Sequence, residues 1–155
     1  NDFMSLIQMR PEGGTAYGTL EWVAYASNAF NTMVPFYADV DETPEYLANT
    51  TGEVSTENFY WTSRMIAAMA DASYGKSLFH VEHYQENVLA KSHALINQYD
   101  ALLADEKDPE KQMELKRKAN RKVAEMVQKE ASATLKKVLY ELSNQMKNSY
   151  ARSDV

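Results

Sequence analysis

The sequence predicts an α+β fold, in which a short antiparallel β-meander is followed by a long antiparallel helical hairpin. Residues 1–37 are rich in strand-forming residues, whereas apolar residues recur at helical spacing through the second half of the chain. The length of 155 residues, with 45% hydrophobic residues, fits one domain that buries about 70% of its unfolded surface. We therefore expect a single region divided into four segments, 1–37, 38–75, 76–150 and a frayed tail, 151–155.

The first segment is predicted to be the β-meander. Strand-like sequence spans three ranges, 4–10, 19–26 and 32–37. The first two are separated by the turn residues Pro11, Gly13 and Gly14. Pro35 lacks an N–H, so the third strand is expected at an edge, a bulge or a strand end. Apolar residues flank Trp22, so we expect both faces of the second strand to be covered. The open edge of so thin a sheet needs a partner, in another chain or in upstream sequence.

The second segment, 38–75, is predicted to be a loop with short helices. Thr43 and Pro44 form a cap and a first helical residue, for a helix that ends near Asn49. Asn49 also begins a match to the glycosylation motif, but nothing else in the sequence indicates a secretory route. Ser55 or Thr56 is predicted to cap a second, aromatic-rich helix. Such a helix either packs in the core or walls a substrate pocket. The spacing cannot separate these two roles, and the core is favoured because an aromatic-rich helix start usually packs there.

The third segment, 76–150, is predicted to be the helical hairpin. Gly75 interrupts the preceding helix, and Ser77 is the predicted cap of a helix over 78–104. Its apolar residues recur every seven positions, at Val81, Val88, Leu95 and Leu102. Asp108 and Pro109 then form the cap and first turn of a second long helix, and the short link makes the pair antiparallel. At 1.5 Å per residue this last helix would reach roughly 55 to 60 Å, so its far end projects or covers something outside the chain.

Charge is distributed unevenly along the sequence. Residues 1–60 carry nine acidic residues against one base, Arg10, whereas residues 111–122 carry six basic residues against one acid. Such a basic run is either a patch for nucleic acid or another anionic partner, or the solvated face of a helix. The net charge of −6 and the lack of interleaved aromatic residues favour the helix face, so we expect no nucleic-acid partner.

Residue content excludes several classes of site and segment. The sequence has no cysteine, which excludes disulfides, thiolate metal sites and a cysteine nucleophile within this chain. No apolar run approaches the roughly 20 residues of a membrane-spanning helix, and the first residues lack the order of a signal peptide. We therefore expect a soluble protein without a membrane partner and favour the cytoplasm, with export of a longer parent left open. Because the first residue is not Met, we also expect a processed or excised piece of a longer chain.

The search for chemistry within the chain finds no catalytic, cofactor-binding or metal-binding residue. A zinc site would need the three histidines on one helix face, but His83 and His93 lie about 300° and 220° round the helix from His80. Glu82 and Glu86 stand one turn apart, as on an ordinary solvated face. No glycine-rich phosphate loop and no nucleophile-elbow motif occurs in the sequence. We therefore expect no cofactor.

Three stretches in close succession carry a family resemblance. They are NTMVPFY from Asn31, DETPEYL from Asp41, and NFYWTSRMIAAMAD from Asn58. In this order they resemble the C-terminal part of the bacterial dipeptidase A-type family, which are cysteine dipeptidases of the N-terminal-nucleophile hydrolase superfamily. The resemblance covers residues 4–75 strongly, whereas the helical tail is similar only in length and character.

The resemblance implies a four-layer αββα sandwich, of which this chain supplies late strands and covering helices. In such enzymes an N-terminal cysteine attacks the dipeptide carbonyl, with its own α-amine as the base, and neighbouring polar groups stabilise the oxyanion. This chain has no cysteine, so the implied catalytic residues lie upstream of Asn1 and none is assigned here. Asn28 and Asn31 are polar residues near strand ends that either approach a pocket or form a turn, and the turn is favoured.

Two functions of different classes follow. In the first, the chain is the C-terminal portion of a dipeptidase that hydrolyses dipeptides, inactive alone, with the upstream part of the same enzyme as its partner. That portion would expose apolar surface and, when isolated, would either self-associate or be only marginally stable. In the second, the chain is an independent helical-hairpin module for protein interaction, with a complete core and a defined monomeric or dimeric state. The resemblance favours the first.

Overall fold

The structure, a computed structural model, describes residues 3–48 and 50–146 and confirms the predicted α+β class. It contains three strands, a 3-10 turn and four helices in the described residues. In chain order they are β1 Phe3–Met9, a 3-10 turn Pro11–Gly13, α1 Gly14–Tyr17, β2 Thr19–Tyr25, β3 Val34–Tyr37, α2 Phe59–Ala72, α3 Tyr74–Asp105 and α4 Pro109–Ser143.

The three strands form an antiparallel meander in the order β1-β2-β3. Trp22 of β2 lies opposite Leu6 on one side and Pro35 on the other, so Pro35 belongs to an edge strand, as its missing N–H requires. Because residues opposite each other share a face, Leu20 and Tyr37 point to one face of the sheet. Val23 and Val34, which also lie opposite each other, point to the other face.

Helices enclose the β3 side of this sheet. On the first face, Leu20 and Tyr37 pack against Ile96, Tyr99 and Leu103 of α3. On the second face, Val23, Val34 and Phe36 pack against a cluster that includes Tyr46, Phe59, Val123 and Val127. All four residues of β3 are buried, whereas all seven residues of β1 are exposed. The sheet is therefore held at one edge and projects at the other.

The outer edge of β3 is closed by one side chain of α4. Asn120, which is buried, accepts a hydrogen bond from the Tyr37 N–H at 2.8 Å and donates one to the Tyr37 carbonyl at 3.0 Å. An edge strand normally leaves such groups unpaired. The Asn120 amide therefore occupies the place that a neighbouring strand would otherwise take.

The two long helices form the predicted antiparallel hairpin. His80 faces Glu141 and Lys91 faces Glu130 across it. The predicted Asp108 cap is confirmed, since its carboxylate accepts the Glu110 N–H at 3.0 Å. With 35 residues, α4 is about 52 Å long, which is shorter than predicted. The end of the predicted hairpin and the predicted frayed tail, 151–155, lie outside the described residues.

The seven-residue stripe on α3 drifts out of the core. Val81 and Val88 are buried, but Leu102 is 45% exposed and Leu103 is buried in its place. An α-helix has 3.6 residues per turn, so a strict seven-residue repeat rotates by about 20° per heptad. Over three heptads that rotation moves the core-facing position by one residue.

The predicted short helix from Pro44 is wrong. Only a turn forms, in which Leu47 and Ala48 donate to the Pro44 carbonyl, and Asn49 lies outside the described residues. The Tyr46 side chain is buried in the core, and its carbonyl accepts the Phe59 N–H at 2.8 Å. This tertiary hydrogen bond uses a carbonyl that helix propagation would need.

The predicted cap of α2 is also wrong. Neither Ser55 nor Thr56 caps the helix, because Asn58 does, accepting the N–H groups of Tyr60 and Trp61 at 3.0 and 3.3 Å. Within the helix, Phe59 and Ile66 are fully buried. The aromatic start of α2 therefore contributes mainly to the core.

The break between α2 and α3 lies two residues before the predicted one. It falls at Ser73, and Gly75 lies inside α3. Ser77, the predicted cap, is fully buried, and its hydroxyl lies 2.5 Å from that of Ser73. Ser77 therefore does not cap a helix but hydrogen-bonds, within the first turn of α3, to the residue at the break.

The basic run of α4 is more than a solvated helix face. Lys116, only 4% exposed, lies 2.7 Å from Asp39. Two further pairs follow along the same face, Arg117 with Asp41 at 2.7 Å and Arg121 with Glu42 at 2.6 Å. The acidic segment after β3 is therefore docked on α4 by charge.

This docking predicts a loss of stability in acid. Hydrogen bonds from Arg117 and Arg121 lower the pKa values of Asp41 and Glu42 respectively. A carboxyl with a lowered folded-state pKa contributes stability that is complete above its unfolded-state pKa, about 4, and is lost as pH falls through the folded-state value. We expect the free energy of unfolding, measured in urea, to fall below about pH 4. This decrease in the free energy of unfolding should be smaller in the double variant Asp41→Asn/Glu42→Gln than in the parent or in the exposed-loop control Glu53→Gln. An equal dependence on pH in all three proteins would contradict the role of Asp41 and Glu42.

Candidate functional site

The largest apolar surface of the sheet lies on β1. Five apolar side chains of this strand are exposed to solvent, Phe3 at 52%, Met4 at 37%, Leu6 at 56%, Ile7 at 55% and Met9 at 78%. Because side chains alternate along a strand, this surface covers both faces of β1. Exposed apolar surface of this kind marks an interaction site.

The backbone of β1 is open as well. The strand pairs with β2 along its whole length, and in the described residues no hydrogen bond reaches its outer edge. The other edge of the sheet is short, contains Pro35 and is closed by Asn120. A long apolar edge without such protection is a template for another strand. The sheet can therefore be extended only beyond β1.

A network of polar side chains holds the end of β1 on α3. Arg10 donates to both carboxylate oxygens of Asp100, at 2.5 and 3.0 Å, and also to the Tyr17 carbonyl. The Tyr37 hydroxyl donates to the same carboxylate at 2.7 Å. Burial, and next the bond to Asp100, raise the pKa of Tyr37. Sequence reasoning missed this role of Arg10 as an anchor between β1 and α3. The sequence offered one sign of it, since Arg10 is the single base among the first 60 residues.

Asn28 and Asn31 lie in the turn between β2 and β3. The Asn31 amide is buried and donates to the carbonyls of Ser27 and Ser63, at 3.0 and 3.2 Å. Its own carbonyl accepts from Gln85 at 2.8 Å. Neither asparagine lines the cleft of about 390 Å3 beside this turn. The contacts of Asn31 are those of a residue that ties the turn to α2 and α3.

The turn also contains strain and unsatisfied polar atoms. Ala26 has a left-handed φ of 61°, which costs a residue with a Cβ about 1 to 2 kcal/mol. The Oδ1 atoms of Asn28 and Asn31 and the Ser63 hydroxyl are buried without a partner in the described part of the chain. Buried polar atoms of this kind usually have a hydrogen-bond partner, either a protein group or an ordered water molecule.

The three histidines lie in three different environments. His80 is 3.1 Å from Glu141, His83 stacks on Phe79, and His93 lies against Trp22. Glu82 and Glu86 are exposed on α3. Among residues 3–48 and 50–146, no three histidine, aspartate or glutamate side chains are grouped as a metal ion would require. Over the same residues, no helix has the length and apolar content needed to cross a bilayer.

Comparison with known proteins gives a consistent result. The model of peptidase family C69 matches residues 1–87. A probable dipeptidase A of Streptococcus pyogenes serotype M18 is 40% identical over 152 residues, which is 97% of this chain and 31% of the relative. A dipeptidase of Bifidobacterium longum is 33% identical over 189 aligned positions, covering 97% of this chain and 35% of the relative.

The chain thus spans about a third of the length of these curated relatives. The family match includes all three strands and α2, together with the first turns of α3. These are the residues that carry the exposed edge. The chain belongs to peptidase family C69 and to the dipeptidase A family within it.

Proposed function

We propose that this chain is the C-terminal portion of a cysteine-type dipeptidase, where it extends a β-sandwich and helps to shape the substrate pocket. The observation that carries the proposal is the exposed apolar edge strand β1. The relatives support it, because they are named dipeptidases and are about three times as long as the part they share with this chain.

The chemistry requires a nucleophile from outside this chain. Hydrolysis by a cysteine dipeptidase begins when a thiolate attacks the carbonyl carbon of the peptide bond, while a nearby base takes up the proton. This chain has no cysteine, so we expect it to be inactive alone. Its partner in this proposal is the upstream part of the same enzyme. The cytoplasmic location of that enzyme stays a prediction.

The edge strand β1 offers both backbone hydrogen-bonding groups and apolar side chains to the upstream part of the enzyme. A strand added beside β1 would pair with the open N–H and C=O groups of its outer edge. Layers above and below it would cover Leu6 on one face and Ile7 on the other. Full burial of such a side chain contributes about 1.5 to 3 kcal/mol. The isolated chain lacks that contribution, so we expect it to self-associate through β1.

The test compares this chain with the longer reading frame from which we expect it to come. We expect dipeptide hydrolysis only with the longer protein. The reaction is measured as the release of free amino acids. Replacing the N-terminal cysteine of its mature form should abolish that hydrolysis. A longer protein that has no cysteine nucleophile and does not hydrolyse dipeptides would overturn the proposal.

A second arm tests the edge itself. In the isolated chain, Leu6→Lys/Ile7→Lys should reduce self-association measured by analytical ultracentrifugation. In the longer protein the same change should abolish activity and native-like folding. The matched control is Leu102→Lys/Leu139→Lys, which charges two helix residues of similar exposure, 45% and 48%. Equal effects of the two double variants would count against β1 as the docking edge.

The alternative of an independent helical-hairpin module is supported less well, because such a module would have a complete core without an open apolar edge, whereas all seven residues of β1 are exposed. The inner side of the hairpin is also closed to a partner, since Val88, Val123 and Val127 are fully buried against the sheet and α2. Inactivity of the longer protein, with a stable monomer or dimer of this chain, would restore that alternative.

A further inference from the structure

A groove on the second face of the sheet contains a carboxylate that has no counter-ion among residues 3–48 and 50–146. The groove has a volume of about 230 Å3, and its wall includes Glu21, Phe3, Tyr25, Phe36 and Leu47. Glu21 and Tyr25 lie on this face because they are four residues apart along β2. Phe36 lies opposite Glu21, and Phe3 lies opposite Tyr25, so both share the same face. The groove therefore combines one acid with aromatic and aliphatic walls.

Glu21 differs from the other acids of this region. Its carboxylate accepts a hydrogen bond from the Ser5 hydroxyl at 2.6 Å, and no Lys, Arg or His in the described residues pairs with it. Glu42 also borders the groove, but Arg121 holds it at 2.6 Å. Asp39 and Asp41 are likewise paired with bases of α4. Glu21 is half-buried, so its charge acts in a partly desolvated site, where a cation gains more than in water.

The neighbouring aromatic residues favour the same kind of ligand. The Phe3 and Tyr25 rings lie 5.5 Å apart at the groove wall. Burial, and secondly the charge of Glu21, raise the pKa of Tyr25, so that the phenol stays neutral. Aromatic faces attract an ammonium group through their quadrupole, and a carboxylate adds a charge-assisted hydrogen bond. The groove thus fits a primary ammonium group that carries an apolar side chain.

We infer that this groove binds the N-terminal residue of the dipeptide substrate, with Glu21 accepting its α-ammonium group and the aromatic walls contacting its side chain. This inference rests on the proposed function. A dipeptide carries its free α-ammonium on the same residue as the scissile carbonyl, and Phe3 places the groove beside the surface that receives the rest of the enzyme. Recognition at Glu21 would restrict the enzyme to substrates with a free amino terminus.

The test uses the longer, complete enzyme with leucyl-alanine as the substrate. Hydrogen bonds to a charged group contribute enough for Glu21→Gln to raise KM by about 10- to 100-fold, with kcat changed by less than about threefold. Glu21→Asp, which keeps the charge, should recover most of the affinity. Glu12→Gln removes an exposed acid between β1 and β2 and serves as the matched control, with kinetics like those of the parent.

Binding measured without turnover separates recognition from chemistry. In the complete protein with its nucleophilic cysteine replaced, calorimetry should show that Glu21→Gln weakens leucyl-alanine binding by the same factor. N-acetyl-leucyl-alanine should bind weakly to both proteins. If Glu21→Gln leaves both leucyl-alanine binding and KM unchanged, the inference is overturned. It is also overturned if Glu21→Gln lowers the melting temperature while KM stays unchanged, because Glu21 would then be the partner of a cation elsewhere in the enzyme. If the parent hydrolyses leucyl-alanine, either result leaves the proposed function intact.

Discussion

Replacing Asp100 by alanine is expected to lower the free energy of unfolding by about 3 to 5 kcal/mol, the range for removing one partner of a buried ion pair. The side chains of Arg10 and Asp100 are only 13% and 19% exposed. Without the carboxylate, Arg10 loses its counter-ion and, among the described residues, retains only the Tyr17 carbonyl as an acceptor. The Tyr37 hydroxyl retains the Ile96 carbonyl at 3.3 Å. The loss should appear as a lower urea midpoint with an unchanged m-value.

Two further variants separate charge from hydrogen bonding. Asp100→Asn keeps an acceptor for Tyr37 but removes the charge opposite Arg10, so its loss should be smaller than that of alanine. Asp105→Ala, at an exposed position of the same helix, should stay within about 0.5 kcal/mol of the parent. If Asp100→Ala costs no more than Asp105→Ala, then the network does not anchor β1 to α3.

Replacing Asn120 by leucine is expected to lower the free energy of unfolding by about 2 to 6 kcal/mol. The variant leaves the buried N–H and C=O of Tyr37 without partners, and each buried unsatisfied group costs about 1 to 3 kcal/mol. Leucine has a similar branched shape but a larger volume, so no cavity is left, and crowding in this buried site adds to the loss of the two hydrogen bonds. Chemical denaturation gives the total, and hydrogen exchange at the Tyr37 amide should speed up in parallel.

The control for this prediction is Asn97→Leu, the same substitution at an exposed position of α3. It should change stability by less than about 0.5 kcal/mol. Slow exchange of the Tyr37 amide in Asn120→Leu would show that another group closes the β3 edge, and would contradict the role assigned to Asn120.

Local chemistry explains which boundaries the sequence predicted well. The start of α4 was correct because Asp108 and Pro109 act on groups within one turn of themselves. The start of α2 was not, because Ser55, Thr56 and Asn58 are all good caps. The choice among them depends on the hydrogen bond between the Phe59 N–H and the Tyr46 carbonyl, which brings two loop positions together.

The candidate site was predicted in outline only. An open sheet edge followed from counting strands, but the sequence did not say which edge was open. That depends on Asn120, which is 83 residues from Tyr37 along the chain. The ion pairs of this region also depend on residues far apart in sequence. Arg10 pairs with Asp100, and Arg121 of α4 pairs with Glu42 rather than with Glu21.

By itself, the sequence determined the α+β class, the order of strands and long helices, the lack of a cysteine nucleophile and the family resemblance. These properties depend on residue content, short-range periodicity and capping, which act within a few residues. Only the tertiary structure decided that β1 is the open edge, that the basic run binds an acidic segment of the same chain, and that no base in the described part of the chain pairs with Glu21. Those properties arise where side chains far apart in sequence meet, so that register and packing decide which charges and edges find a partner.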